Sequence, residues 1–505
     1  MNNPVLQALR SHPPMLPALE DGDRALSYGE LDGLVAAECR WLVAQEVQRC
    51  ATFAENGCGW AIADLALLAL QRLHVPLPTF FTTAQAAHAL DDAGIDAVLT
   101  DQPDSFVAQH PQFHRVGASP ASRLALLRRS LLKPGDGVPQ GVIKITYTSG
   151  STGTPKGVAL SAAAQLQVAA SLALAVRDAG VTRHLSVLPL ATLLENISGI
   201  YVPLLLGVVS LLLPSSQTGL SYGALDPQRF LALLRSSRAN SITVVPELLQ
   251  LLVRSVEAGM PALSLKFVAV GGATVSVQLL QQAEAAGIPT YEGYGLSECA
   301  SVVCLNTPSS RRVGSVGRPL PHARVRVDSA GEIHVAGAVM SGYVGRPASG
   351  VEPPAADEIA TGDLGEIDTD GYVYVRGRLR NMFITSMGRN VTPEWVESEL
   401  LQEAPLSHAM VVGEGRPYAV ALLGTRSAAV SDAQIESAVT RANARLPDYA
   451  RVRRWARLDA APSANAGLLT ANGRLRRDAM LARYGVLLEP LYIQASAGEK
   501  FNVLS

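Results

Sequence analysis

Short apolar, often β-branched runs alternate along most of the chain with longer stretches whose apolar residues recur every three or four positions. These are the patterns of buried strands and amphipathic helices. Ala25–Leu31 opens a helix: Ser27 and Glu30 have capping-box spacing, and Leu31, Leu34, Val35, Cys39 and Leu42 follow at a helical period. Ala61–Leu73 predicts a second, more apolar helix leading into Val75-Pro76-Leu77-Pro78. A helix over Thr83–Ala93 and a strand over Ala97–Thr100 come next. Residues 103–140 read as irregular, with Pro134-Gly135-Asp136-Gly137 as a linker. Alternation then resumes, with helices at Ala162–Asp178, Ile200–Leu206, Gln228–Ser236, Glu247–Ala258 and, capped by Ser276, Val277–Ala286. The strands between them are His184–Leu188, Val208–Leu213, Ser241–Val245 and Leu265–Val270.

Such alternation predicts doubly wound α/β layers. From about residue 311 the period shortens to strands at Ala323–Val327, Glu332–Val335 and Tyr372–Val375, a small β subdomain over about 311–378. Beyond Arg378 it changes again. A helix starts at Thr392-Pro393, with proline suited to the first turn, followed by strands at Ala409–Val412 and Ala419–Leu423, a helix at Asp432–Arg445 and a polar C-terminal stretch. The expected organisation is α/β: a large N-terminal domain over 1–378, a hinge at 379–381, and a small mobile α+β domain over 382–505.

Composition narrows the function. The chain has 505 residues, 48% of them hydrophobic and 17% charged, enough for a large core in two or more domains. A net charge of −2 argues against a nucleic-acid partner. Five cysteines without a CxxC pair suggest neither a disulfide framework nor a zinc site, and a reducing, cytoplasmic setting is expected. Residues 1–11 carry no charged-then-apolar leader pattern. The most apolar run, Tyr201–Leu213, is shorter than the roughly 20 residues a bilayer needs. It reads as a helix end, a stop at Gly207 and a core strand, so no integral membrane segment is expected.

Candidate chemistry begins at Thr148-Ser149-Gly150-Ser151-Thr152-Gly153-Thr154-Pro155-Lys156-Gly157, directly behind the β-branched run Val142–Thr146. Glycines let a backbone approach closely and turn its N–H groups toward an anion, hydroxyls add short donors, and a lysine adds a point charge. This composition suits a polyphosphate. It is not a Walker A loop, because Lys156 is followed by Gly157 rather than by a hydroxyl. Further along, Tyr291–Glu298 sets glycines around an aromatic, a slot for a flat base, with Glu298 able to hold a hard cation. Asp363 and Arg378, bracketing a hairpin at Gly365–Val375, offer an acceptor and a donor fork for ribose hydroxyls; taken alone they read better as an ordinary surface ion pair.

Together these motifs resemble, from Leu26 to about Arg477, the adenylate-forming enzymes: acyl-CoA synthetases, aryl-CoA ligases, peptide-synthetase adenylation domains and luciferases. Leu188-Pro189-Leu190-Ala191, Gly271-Gly272-Ala273 and Gly342-Tyr343 also match, and Gly388–Glu394 looks most like the long-chain acyl-CoA synthetase branch. The resemblance implies ATP-dependent activation of a carboxylic acid to acyl-AMP with release of pyrophosphate. The C-terminal domain then turns about Arg380, and a thiol takes the acyl group. The implied cofactors are ATP, Mg²⁺ and CoA, or the phosphopantetheine of an acyl carrier protein. By the same resemblance Thr148, Ser149, Gly150, Ser151, Thr152, Gly153, Thr154 and Lys156 wrap the phosphates. Gly272, Ala273, Tyr294 and Gly295 form the adenine slot, and Ser297 and Glu298 lie by the α-phosphate and the metal. Asp363 and Arg378 bind ribose, and Thr152, Lys156, Glu298 and Arg474 carry the chemistry.

Two positions depart from the family pattern. Thr192 stands where the family places a histidine lining the acid pocket, whose remaining residues are expected to be Leu193, Leu194, Ile197 and Gly199. Their apolar character favours a fatty acid, then an aryl acid. Arg474 stands where the C-terminal loop normally carries a lysine, and after Lys266 the only other lysine is Lys500. A planar fork is not a compact ammonium. Three readings stay open: Arg474 performs the lysine's work, thioester formation dominates over slow adenylation, or the protein binds nucleotide without turnover.

Overall fold

The computed structural model describes residues 3–130, 137–148, 155–221, 224–261, 263–344, 358–463, 466–469 and 475–492. Two large mixed sheets dominate the first 344 residues. In one, the strands run Gly342–Tyr343, Lys156–Ser161, Val142–Thr148, Leu73–Pro76, Arg49–Phe53, Ala97–Thr100, Ala125–Arg128 and His114–Ala118 from edge to edge. Its four central strands are parallel and its margins antiparallel. The other runs Arg318–Pro319, Ser301–Leu305, Thr290–Leu296, Phe267–Val270, Ser241–Val244, Arg183–Ser186, Val209–Leu212, Pro17–Glu20 and Ala25–Ser27, again parallel at its centre.

The largest core lies between the sheets. It joins Cys50, Leu99 and Ile143 of the first sheet to Leu19, Leu212 and Phe267 of the second through the helices Tyr28–Ala44, Cys58–Leu70 and Ala162–Val176. The helix Cys58–Leu70 is buried on nearly every side, which explains why its sequence is apolar all round rather than along one stripe. The expected capping box is present: Ser27 Oγ accepts from the Glu30 N–H, and the Glu30 carboxylate accepts from the Ser27 N–H. The apolar run at 201–213 is the expected helix Val202–Leu206, a left-handed Gly207 and the strand Val209–Leu212.

A four-stranded antiparallel sheet (Ala323–Val327, Glu332–Gly337, Glu358–Ile367, Val373–Arg378) forms the β subdomain. A short 3-10 turn, Leu379–Asn381, leads to the C-terminal region. There a three-stranded sheet (Leu406–Val412, Ala419–Thr425, Val452–Arg457) carries Pro393–Leu401 and Asp432–Asn443 on one face and Arg477–Tyr484 on the other. Its central strand shows the period-two logic directly: Ala419, Ala421 and Leu423 enter one core, Val420 and Leu422 the other.

Several expectations need correction. Residues 103–140 are not irregular: they hold the helix Pro103–Gln109 and the strands His114–Ala118 and Ala125–Arg128. The first of these strands is a largely exposed sheet edge, so its sequence lacks buried alternation. The polar C-terminal stretch contains the strand Val452–Arg457 and the helix Arg477–Tyr484. Ala25–Ser27 is a strand, and the helix begins at Tyr28. The expected helix at Ile200 starts earlier, at Leu193, and passes through one π turn over Ile197–Tyr201.

Candidate active site

Two paired strands flank the phosphate-binding candidate. Val142–Thr148 pairs antiparallel with Lys156–Ser161, and the last register pair is Thr148 with Lys156. Ser149, Gly150, Ser151, Thr152, Gly153 and Thr154 lie outside the described residues, as does Arg474. The flanking strand ends are tightly set. A Cβ on Gly157 would stand 3.0 Å from both Ile145 and Tyr147. The Tyr147 hydroxyl donates to Asp92 at 2.8 Å, and a His88 ring nitrogen lies 3.1 Å from the Pro155 carbonyl oxygen.

Lys156 and Glu298, far apart in sequence, meet through Tyr343. The short strand Gly342–Tyr343 pairs with Lys156–Ser161, which sets the Tyr343 ring 5.9 Å from Lys156 Nζ. The Tyr343 hydroxyl donates to Glu298 Oε1 at 2.9 Å, and the Met340 N–H donates to the Glu298 carbonyl at 2.7 Å. Ser297 and Glu298 occupy a 3-10 turn that is followed by Ala300 and Ser301, both at positive φ (54° and 108°). Two consecutive non-glycine residues in that region represent stored backbone strain, and such strain clusters at functional sites.

The residues proposed to hold the nucleoside also come together. Tyr291–Leu296 lies within the strand Thr290–Leu296. Glycine is required there: a Cβ on Gly295 would fall 1.9 Å from the Ser301 carbonyl oxygen of the neighbouring strand. Gly272, at φ +79°, turns the chain after the adjacent strand Phe267–Val270, with Ala273 following it. The Tyr294 hydroxyl donates to Asp363 Oδ2 at 2.7 Å, and Arg378 Nε stands 2.9 Å from Asp363 Oδ1. Asp363 and Arg378 flank the Gly365–Val375 hairpin as expected; the ladder runs on beyond it, which makes them direct cross-strand partners. Burial, reinforced by the Asp363 charge, holds the Tyr294 phenol well above its ordinary range, so it acts as a donor. Burial also pushes the neighbouring Glu292 carboxyl up to about 8. A cleft lined by Glu332, Ala360, Thr361, Gly362, Arg378, Leu379 and Arg380 opens beside this pair.

An apolar cavity lies behind the strand that follows Glu298. Val302 and Leu305 of that strand form one wall, Leu172 and Val176 another, and Leu194, Ser198 and Val202 a third. Of the expected pocket residues, Leu194 lines it. Thr192 stands at the N-cap position of the helix without capping it, its hydroxyl donating back to the Pro189 carbonyl at 2.7 Å; Leu193 and Ile197 belong to the main core, and Gly199 is buried against Ser186.

A buried polar network, not foreseen from sequence, braces the hairpin. Lys144 Nζ donates to Asp64 Oδ1 (2.7 Å), to the Tyr201 hydroxyl (3.0 Å) and to Asn196 Oδ1. Asp64 also bonds His74 Nδ1 at 2.9 Å and accepts from Tyr201 at 2.8 Å and Asn196 at 3.0 Å. Burial opposes the Asp64 charge, but Lys144 and His74 outweigh it and keep the carboxyl below the usual carboxylate range. A lone lysine in a strand carries no sequence signal of this; its five-member circle comes from four separate elements.

The family described as AMP-binding enzyme matches residues 6–344, and the AMP-binding enzyme C-terminal domain matches residues 381–496. The chain belongs to this family of adenylate-forming enzymes. The long-chain-fatty-acid–CoA ligase FadD15 of Mycobacterium bovis is 30% identical over 246 residues, covering 44% of this chain and 41% of that protein. The match therefore spans well under half the length of that relative. The 2-succinylbenzoate–CoA ligase of Enterococcus faecalis is 30% identical over 419 residues, covering 79% of this chain and 82% of its own. Among solved structures, the O-succinylbenzoate coenzyme A synthetase MenE of Bacillus subtilis, in complex with ATP and magnesium, aligns at a TM-score of 0.75 and 23% identity. That alignment covers 94% of this chain and 98% of the other. The anthranilate CoA ligase AuaEII aligns at 0.76 and 17% identity, covering 95% and 96%. Among the described residues, no helix is long and apolar enough to cross a membrane.

Proposed function

We propose that this protein is an AMP-forming acid–thiol ligase. It activates a carboxylic acid with ATP to acyl-AMP and pyrophosphate, then passes the acyl group to the thiol of CoA. The observation that carries the reading is the convergence on one strand and its continuation, residues 290–298, of two assemblies. Tyr294 joins Asp363 and Arg378, a grip suited to a ribose; Glu298 joins Tyr343 and Lys156, a cation and a carboxylate suited to phosphates and their metal.

The donor set fits Mg²⁺: a single carboxylate, Glu298, supplemented by substrate phosphates is how that ion is commonly held. When bound it supplies charge neutralisation. The chain's own residues do the positioning. Lys156 and the hydroxyl-rich stretch with Thr152 hold the phosphates, and Arg474 brings a second cation to the acid's carboxylate. In-line attack on phosphorus needs little more than such placement and charge. Rotation of the 382–505 domain about 379–381, with Arg380 at the turn, then exchanges adenylation for thioester formation.

The apolar cavity walled by Val302 and Leu305 of the strand Ser301–Leu305 supports an acid with an apolar body, fatty first and aryl next. A carrier-protein phosphopantetheine is the alternative acceptor, since it ends in the same thiol. The test is pyrophosphate release with ATP and Mg²⁺ across fatty and aryl acids, with and without CoA. Acid-dependent release with acyl-CoA detected by mass is expected. Acyl-AMP that forms but does not transfer to CoA favours the carrier protein. ATP binding without release for any acid overturns the proposal in favour of a non-catalytic nucleotide binder.

A further inference from the structure

We infer that the acid accepted by this site carries a neutral oxygen, keto or hydroxyl, on its apolar body, received by a polar stripe centred on His184. The inference rests on the proposed acid-activating reading and deepens it. Twelve of the sixteen residues that line the cavity are apolar. The four that are not, His184, Ser198, Ser241 and Thr243, lie together. His184 and Ser241 are register partners on adjacent parallel strands, with His184 Nδ1 3.1 Å from Ser241 Oγ. Thr243, two residues along, donates to Ser198 Oγ at 3.3 Å. A uniformly apolar acid would leave this stripe facing hydrocarbon, an arrangement that costs free energy.

Behind the stripe is an unsatisfied cluster. Both Glu195 carboxyl oxygens, His184 Nε2 and Ser186 Oγ are buried without a hydrogen-bond partner. Glu195 Oε1 stands 3.8 Å from His184 Nε2, beyond bonding reach. Buried groups of this kind are rare and call for a physical cause. A Cβ on Gly199 would lie 2.2 Å from Ser186 Oγ and 3.1 Å from Glu195 Oε1, so no further side chain fits. Burial favours the neutral form of Glu195 despite His184 beside it.

His184 Nδ1 and Ser241 Oγ share one hydrogen bond, and in the Nδ1-protonated tautomer the ring donates to Ser241 Oγ. The Ser241 hydroxyl hydrogen is then free to point at a ligand. Ser198 accepts from Thr243 and has its own hydrogen to give. Two hydroxyl donors on one wall match an acceptor oxygen. Among the described residues, no lysine or arginine lines the cavity, so an anionic second group finds no fixed counter-charge there.

The test pairs acids of equal length with and without a keto or hydroxyl group, straight-chain and phenylalkyl, and compares kcat/KM for pyrophosphate release. Binding of the same acids to the ATP-loaded protein is measured by calorimetry, which reports without turnover. In the wild type the oxygenated member is favoured by about tenfold or more, since a site built to hydrogen-bond rejects the analogue that cannot. The ratio collapses in His184→Leu and in the milder Ser241→Ala. A wild-type preference for the plain acid, or a ratio unchanged in both variants, overturns the inference and assigns the cluster to an internal water. Preferential binding without pyrophosphate release keeps the inference and overturns the adenylation reading instead.

Discussion

Replacing Lys144 with methionine isolates the brace behind the phosphate-binding hairpin. The ammonium is 2% exposed and 2.7 Å from an Asp64 carboxylate that is fully buried. Methionine fills a similar volume but removes the cation. Asp64 keeps its bonds to His74, Tyr201 and Asn196, yet loses its nearest positive charge. Breaking one side of a buried pair costs about 3–5 kcal/mol, because the remaining charge is uncompensated. The pH dependence gives a second handle. In the wild type the lowered Asp64 pKa means that stability gained from its ionised form is present above the unfolded value near 3.9 and lost as pH falls. Without Lys144, burial raises that pKa, so the variant's deficit grows with pH as the unfolded chain ionises and the folded one resists. Urea unfolding followed by circular dichroism at pH 5 and pH 8 measures both. The expected result is a deficit of several kcal/mol at pH 8, smaller at pH 5, and reduced by at least about half in Asp64→Asn/Lys144→Met. A loss under about 1 kcal/mol, or one independent of pH, refutes the reasoning.

Three further outcomes follow from the site. Asp363→Asn removes the charge that both Tyr294 and Arg378 address, and ATP affinity by calorimetry should fall roughly 10- to 100-fold, the span of a charge-assisted hydrogen bond; unchanged affinity contradicts the ribose role. Glu298→Gln should lower kcat for pyrophosphate release by about 100-fold or more while ATP still binds; a change in KM alone would place Glu298 outside the reacting centre. The Glu292 carboxyl, raised by burial to about 8 from its ordinary 4.5, stays protonated in the folded protein while the unfolded chain ionises. The stability this proton contributes is full below about pH 4.5 and lost as pH rises through 8, at about 1.4 kcal/mol per unit. Glu292→Gln should therefore gain on the wild type between pH 5 and 8.5 by several kcal/mol, and a flat difference contradicts the burial argument.

Local signals made much of this fold legible. Ser27 with Glu30, Gly207 after its leucines and Ser276 before its helix each act through neighbours a few residues away, and all three operate as their chemistry requires. What sequence did not reveal depends on tertiary placement. The edge strand His114–Ala118 is largely exposed and so carries no buried period. Asp363 and Arg378 were visible as donor and acceptor, but their register pairing depends on the length of the hairpin between them. Tyr343 was visible only as part of a matching dipeptide, and its bond to Glu298 requires a strand from beyond residue 340 to close on the sheet edge. His184 looked like an ordinary strand residue, because nothing local marks the cavity it faces.

The most direct test of the central claim is exchange of labelled pyrophosphate into ATP, run without CoA in the presence of single acids, plain and oxygenated. Exchange reports reversible formation of acyl-AMP and nothing downstream. The account predicts acid-dependent exchange in the wild type, reduced strongly in Arg474→Ala and Glu298→Gln. Failure of every acid to promote exchange in a protein that binds ATP would contradict it, leaving a nucleotide-binding member of the family that does not adenylate.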